Sequence, residues 1–134
     1  MDDSTLLLRS VNELLVAGDG GIAPREFRPH PERDNGKLST QNGDDMEPQA
    51  VWQIRNAASR ARNPRSVRPL GIAAVSVGEC RQLGLTVIED GTSDDPHHVS
   101  VDFAPIPADR WRTVAVVLAQ MATERGLLYR SDEQ

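Results

Sequence analysis

Aromatic residues make up 4% of this 134-residue chain, so its core must be built from Val, Ile, Leu and Ala rather than around stacked rings. Cysteine is scarcer still. Cys80 stands alone and cannot form an internal disulfide, and the paired thiols on which small secreted domains rely are missing, which points to a reducing compartment. Long apolar runs are absent too. The first, residues 5–8, follows two Asp and has no basic flank, so it reads as neither a signal peptide nor a membrane span, and a cytoplasmic location is the expectation.

Lysine is nearly missing, since 14 of the 15 basic residues are Arg. Acid is missing locally: residues 48–78 contain no Asp or Glu, and Arg55, Arg60, Arg62, Arg65 and Arg68 fall in that gap. A net charge of −5 and the lack of aromatics interleaved with basic residues argue against a nucleic-acid binder. The Arg cluster suits an anionic ligand or an acidic protein partner, and equally a solvated helix end and loop.

The length and an ordinary content of hydrophobic (38%) and charged (26%) residues fit one domain over residues 1–134, frayed at 1–4 and 131–134. Residues 5–11 and 38–41 read as short strands, with a helical turn at 12–17 and a Gly-rich loop at 18–21. Residues 25–40 combine Arg25, Phe27, Arg28, Pro29, His30, Pro31 and an Asp34–Asn35–Gly36 turn signal, a density of backbone-fixing groups that suits a site loop, with residues 26–28 extended. Residues 47–62 carry Val51, Ile54, Ala58 and Ala61 at helical spacing, with Trp52 at the margin. Residues 70–75 and 85–88 read as strands around a short helix opened by a Ser76–Glu79 capping box and closed by Gly84. That connection is too short for neighbouring parallel strands, so the two are expected to be non-neighbours or differently oriented. Residues 98–104 alternate with period two, and residues 108–125 form the longest helix, with Trp111, Val114, Leu118, Met121 and Ala122 along one stripe. The expected fold is α+β, a mixed and mainly antiparallel sheet with helices 47–62 and 108–125 on one face.

Chemistry is sparse. His98, Ser100 and Asp102 share a strand face at about 6–7 Å spacing, too wide for a Ser-His-Asp relay within one strand. His97 and His98 point to opposite sides and His30 lies far off in sequence, so no metal-ligand spacing is present and neither a metal nor a cofactor is expected. Cys80 lies in the short helix, where a lowered pKa would require the helix terminus to outweigh burial. The Gly18-x-Gly-Gly segment does not follow a strand as a phosphate loop would. Arg28, Asp34 and Ser39 belong to the constrained stretch, and the polar strand offers it a surface. Folding of 25–40 over His98, Ser100 and Asp102 would place Arg28, Asp34, Ser39 and His98 in one pocket.

The order of Leu7–Leu8–Arg9, Phe27-x-Pro29, Asp34, Leu38–Ser39, Val75-x-Val77-Gly-Glu-Cys, Leu83–Gly84–Leu85 and His98-x-x-x-Asp102 resembles a family of small uncharacterised bacterial proteins. The resemblance runs from about Leu6 to Tyr129 and implies an α+β domain that groups Arg9, Phe27, Pro29, Asp34, Ser39 and His98, with no reaction attached. Arg9 and Ser39–Thr40 are also similar to two strand positions of ADP-ribosyltransferase-type NAD enzymes, with no Glu assignable to the third. Two readings follow. One is a non-enzymatic binding or interaction module of a bacterial cytoplasmic multi-gene system. The other is a small enzyme acting on a nucleotide or other phosphate-bearing ligand, with Arg9 or Arg28 holding the anion and Asp34 or His98 moving a proton.

Overall fold

The computed structural model describes residues 1–12, 14, 21–65 and 68–131. The helical turn expected at 12–17, the Gly-rich loop and the end of the tail lie largely outside these residues. Six strands, β1 (Leu6–Val11), β2 (Lys37–Asn42), β3 (Gly71–Ser76), β4 (Thr86–Glu89), β5 (His98–Asp102) and β6 (Tyr129–Arg130), form one sheet in the order β4-β5-β2-β1-β3-β6. Every pairing among them is antiparallel, so the parallel part of the expected mixed sheet is not found among the described residues. The helices are α1 (Pro48–Arg62), α2 (Val77–Gln82) and α3 (Trp111–Arg125). The chain is a single α+β domain.

Local chemistry accounts for the boundaries. Ser76 accepts from the Glu79 backbone N–H at 3.0 Å, and Glu79 accepts from the Ser76 N–H at 2.7 Å, which closes the capping box and starts α2. Gly84, at φ +85°, takes the left-handed conformation that releases the chain toward β4. Strands β3 and β4 flank this helix in sequence yet stand apart in the sheet with β5, β2 and β1 between them. Residues 24–27 form a 3-10 turn, Pro24–Phe27, rather than an extended segment. Near the N-terminus the Arg81 guanidinium donates to the Met1 carbonyl and to Asp3 at 3.0 and 2.7 Å. At the other end Ser131 donates to the Leu70 carbonyl.

The two long helices lie on opposite faces of the sheet, contrary to the expectation of one shared face. Leu7, Val11, Ala73, Val75, Val99 and Val101 point toward α3, with Phe27, Phe103 and Leu118 completing that core. Their strand neighbours Leu8, Ile72 and Ala74 point the other way, toward Val51 and Trp52 of α1. Strands β1 and β3 are apolar on both sides, as buried central strands must be, and each side needs a cover.

Helix α1 is also rotated from its expected stripe. Trp52 is buried, donates its indole N–H to the Pro69 carbonyl at 2.8 Å and sits 5.6 Å from the Tyr129 ring. That one large side chain outweighs Ile54, Ala58 and Ala61, and Ile54 is left 57% exposed. In α3 the buried residues are Trp111, Ala115, Leu118, Ala119 and Ala122, so the inward stripe is narrower in residue size than expected, with Val114 and Met121 at its edges. Leu118→Ala removes a side chain of 0% exposure and should cost about 2–5 kcal/mol. Ile54→Ala should stay within about 0.5 kcal/mol. Urea melts of the two variants check both, and a large loss from Ile54→Ala would contradict the rotated α1 face.

Candidate functional site

The site begins with a short ladder. Strands β1 and β3 pair along their whole length, from Leu6↔Ser76 to Val11↔Gly71. Strands β1 and β2 pair at Leu7↔Asn42 and Leu8↔Gln41 and then part. The Arg9 side chain occupies the opening: its Nη1 donates to the Ser39 carbonyl of β2 at 2.8 Å and its Nε donates to the Glu26 carbonyl of the 3-10 turn at 2.5 Å. Glu26 in turn accepts from the Asn12 backbone N–H at 2.5 Å. A guanidinium therefore supplies donors where the backbone ladder would otherwise run.

A recess of about 210 Å³ opens over this gap on the α1 side. Arg9 lies in its lining with Ser10, Asn12, Glu26 and Ser39, and α1 contributes Arg55, Ser59 and Arg62. Spacings of four and three residues place those last three on one flank of the helix. The rotation that buries Trp52 is what turns this flank toward the sheet. Neither Arg55 nor Arg62 forms an ion pair among the described residues.

The charges are strained. Burial pulls the Arg9 guanidinium below the ordinary arginine value; Glu26 opposes that shift, Arg55 adds to it and Asp34 opposes it. Burial pushes the Glu26 carboxyl above its ordinary value, against the Asn12 hydrogen bond and the Arg9 and Arg25 charges. Among the described residues the contact partners of Arg9 are the neutral carbonyl oxygens of Glu26 and Ser39.

The expected group of Arg28, Asp34, Ser39 and His98 is divided: Ser39 and His98 share one face of the paired strands β2 and β5, but Ser39 lines the recess while His98 lines a different hollow with Asp45 and Glu89. Phe27, at the end of the 3-10 turn, is buried in the core on the α3 side, the face opposite to His98, so residues 25–28 cannot fold over His98, Ser100 and Asp102. Arg28 lines a separate hollow with Arg112 and Val116. Asp34 locks its own loop: it accepts from the His30 N–H at 2.8 Å, and that bond holds its carboxyl below the usual range. Asn35 and Gly36 follow with φ of 52° and 73°, and Gly36 packs under Trp111. Of the residues grouped in advance, Arg9 and Ser39 meet. Of the Arg cluster, Arg55 and Arg62 reach the recess, while Arg60, Arg65 and Arg68 are exposed and outside its lining.

His98 belongs to a different arrangement. Its Nδ1 lies 2.6 Å from Asp90 Oδ1, and Ser100 donates to Asp90 Oδ2 at 2.5 Å. The carboxylate stands between the imidazole and the hydroxyl, so the His does not take the Ser proton and the group ties the end of β4 to β5. Asp102 accepts from the Ala104 N–H and serves the turn that follows. Cys80 is fully buried, and burial, with Glu79 beside it, pushes its thiol up to about 12, which removes thiolate chemistry near neutral pH.

Asp90, Glu26, Ser10, Asn12 and Ser59 were not singled out from sequence. For Ser59 a signal existed, because Arg55, Ser59 and Arg62 form a polar stripe at helical spacing. Comparison with protein-family models, curated proteins and solved structures finds no match for the chain. No helix among the described residues is long and apolar enough to cross a membrane.

Burial acts to raise the Asp90 pKa, but the hydrogen bonds from Ser100 and His98, with the His98 charge, outweigh it and hold the carboxyl below the usual range. A depressed carboxyl contributes stability that is present above the unfolded value of about 3.9 and is lost as pH falls through the folded value. The stability gap between the parent and Asp90→Asn should therefore hold down to about pH 4 and close below it. Urea midpoints across that range test this. A gap that widens on acidification would assign the Asp90 contacts no such role.

Proposed function

We propose that this chain is a non-enzymatic binding module of a bacterial cytoplasm, acting with a protein partner in a multi-gene system, and that its ligand-binding element is the Arg9–Arg55–Arg62 recess. The observation that carries the reading is Arg9 itself. A half-buried guanidinium bonded to neutral oxygens, with two more guanidinium groups on the facing helix flank, leaves a concentration of positive charge that an anion would neutralise. The resemblance in motif order supports the bacterial part, and Asp90 standing between His98 and Ser100 supports the non-enzymatic reading for that polar strand face.

A second reading rests on Glu26. The recess brings Arg9, Ser39 and a carboxylate of raised pKa together, which favours a small enzyme on a nucleotide or other phosphate-bearing ligand, in the manner of the ADP-ribosyltransferase-type resemblance. Nicotinamide release from NAD that disappears in Glu26→Gln would replace the module reading with this one.

Sulfate serves as the probe for the first reading because its charge is constant over the working range. Calorimetric titration at low ionic strength should give saturable binding that weakens as salt is raised. The Arg55→Gln/Arg62→Gln double variant should lose at least about tenfold in affinity, with the melting temperature within a few degrees of the parent. Unchanged binding in that variant, or none in the parent, returns these arginines to ordinary surface.

The pH dependence has a definite sign. Ionised Glu26 repels the anion, and its raised pKa means it takes up a proton as pH falls toward, but still above, the ordinary glutamate value. Sulfate affinity should therefore rise through that window, and Glu26→Gln should flatten the profile. A parent profile that falls on acidification would remove Glu26 from the site.

A further inference from the structure

The recess has a neighbour. On the other side of Arg55, along the same flank of α1, lies a trough of about 320 Å³ that is mostly apolar, with Met46, Val51, Ile54 and Pro96 on its walls. Arg55 lines both hollows. Both hollows also draw on β2: Ser39 in the recess and Gln41 in the trough are two apart on that strand, so both face α1 and their Cα atoms are about 6–7 Å apart. The lining of the trough also carries the opposite charge. Asp94 and Asp95 stand there, and Asp95 already accepts from the Gln41 side-chain amide at 3.0 Å. Ile54, at 57% exposure the large hydrophobic left uncovered among the described residues, stands beside this trough.

Resting on the anion-binding reading above, we infer that the ligand is a nucleoside monophosphate whose base carries an amino group. The phosphate lies among Arg9, Arg55 and Arg62, the sugar passes Arg55, and the base enters the trough against Ile54 with its amino group toward Asp94 and Asp95. Charge order decides for this class. An acidic peptide would match the recess but would bring further carboxylates against the aspartates, whereas a nucleotide is anionic at one end, flat and weakly polar at the other, and ends in N–H donors.

Titrations with AMP, inorganic phosphate and adenosine test it, using the parent chain and the uncharged variant Ile54→Ser, with Ile54→Asn as the substitute if the first variant melts early. AMP should bind at least about tenfold more tightly than phosphate in the parent, and that advantage should vanish in the Ile54 variant while phosphate affinity stays within about twofold. Equal affinities for AMP and phosphate in the parent would overturn the nucleoside assignment and leave the anion recess standing. Adenosine binding as tightly as AMP would also overturn it, since the phosphate would then be idle. Binding of none of the three would remove the recess reading itself, and this inference with it.

Discussion

The arrangement depends on a cation placed inside a sheet. If β1 and β2 continued the register set by Leu8↔Gln41, residues 9–11 would be laddered to residues 38–40 and the opening between the strands would close. Arg9 prevents this by offering its own donors to the Ser39 carbonyl, so the backbone acceptor is satisfied without the strands meeting. Holding that charge away from bulk water is costly, and its contact partners among the described residues are dipoles rather than a carboxylate. The fold therefore contains an electrostatic demand at a fixed point, and the surrounding elements decide what can answer it. On one side the 3-10 turn brings Glu26, which burial discourages from ionising. On the other, α1 brings two further guanidinium groups.

Helix α1 presents those groups because of Trp52. Its indole N–H needs an acceptor once buried, the Pro69 carbonyl supplies one, and Tyr129 packs against the ring. The helix is thereby set with Trp52 inward, which turns Arg55, Ser59 and Arg62 toward the β1–β2 gap and leaves Ile54 outside. One packing decision thus places both the positive recess and the apolar trough beside it.

Much of the framework was legible because its signals are local. The Ser76–Glu79 capping box, Gly84 and the alternation along β5 are each set by neighbours a few residues away. Sheet order was partly legible too, since so short a link between β3 and β4 cannot join adjacent parallel strands. What escaped were decisions made across the fold. The face of α1 turned on a carbonyl, Pro69, that no helical pattern contains. Asp90 joined His98 and Ser100 through strand pairing. Arg9 and Ser39 could be suspected of proximity, but the loop assigned to His98 went to the opposite face because Phe27 had a larger core to enter there. Apolar periodicity was sought on residues 47–62, and the polar stripe on the same residues held the site.

The position of Arg9 also bears on synthesis. Leu8 sits mid-sheet between Gln41 and Ala74, so β1 emerges from the ribosome before either neighbour and waits with both hydrogen-bonding edges open. A strand that is apolar on two faces is at its most aggregation-prone during that interval. A charged residue directly after Leu6, Leu7 and Leu8 interrupts the run that another nascent chain would pair with. The guanidinium that keeps β2 at a distance in the finished sheet is thus also a gatekeeper for the unfinished one.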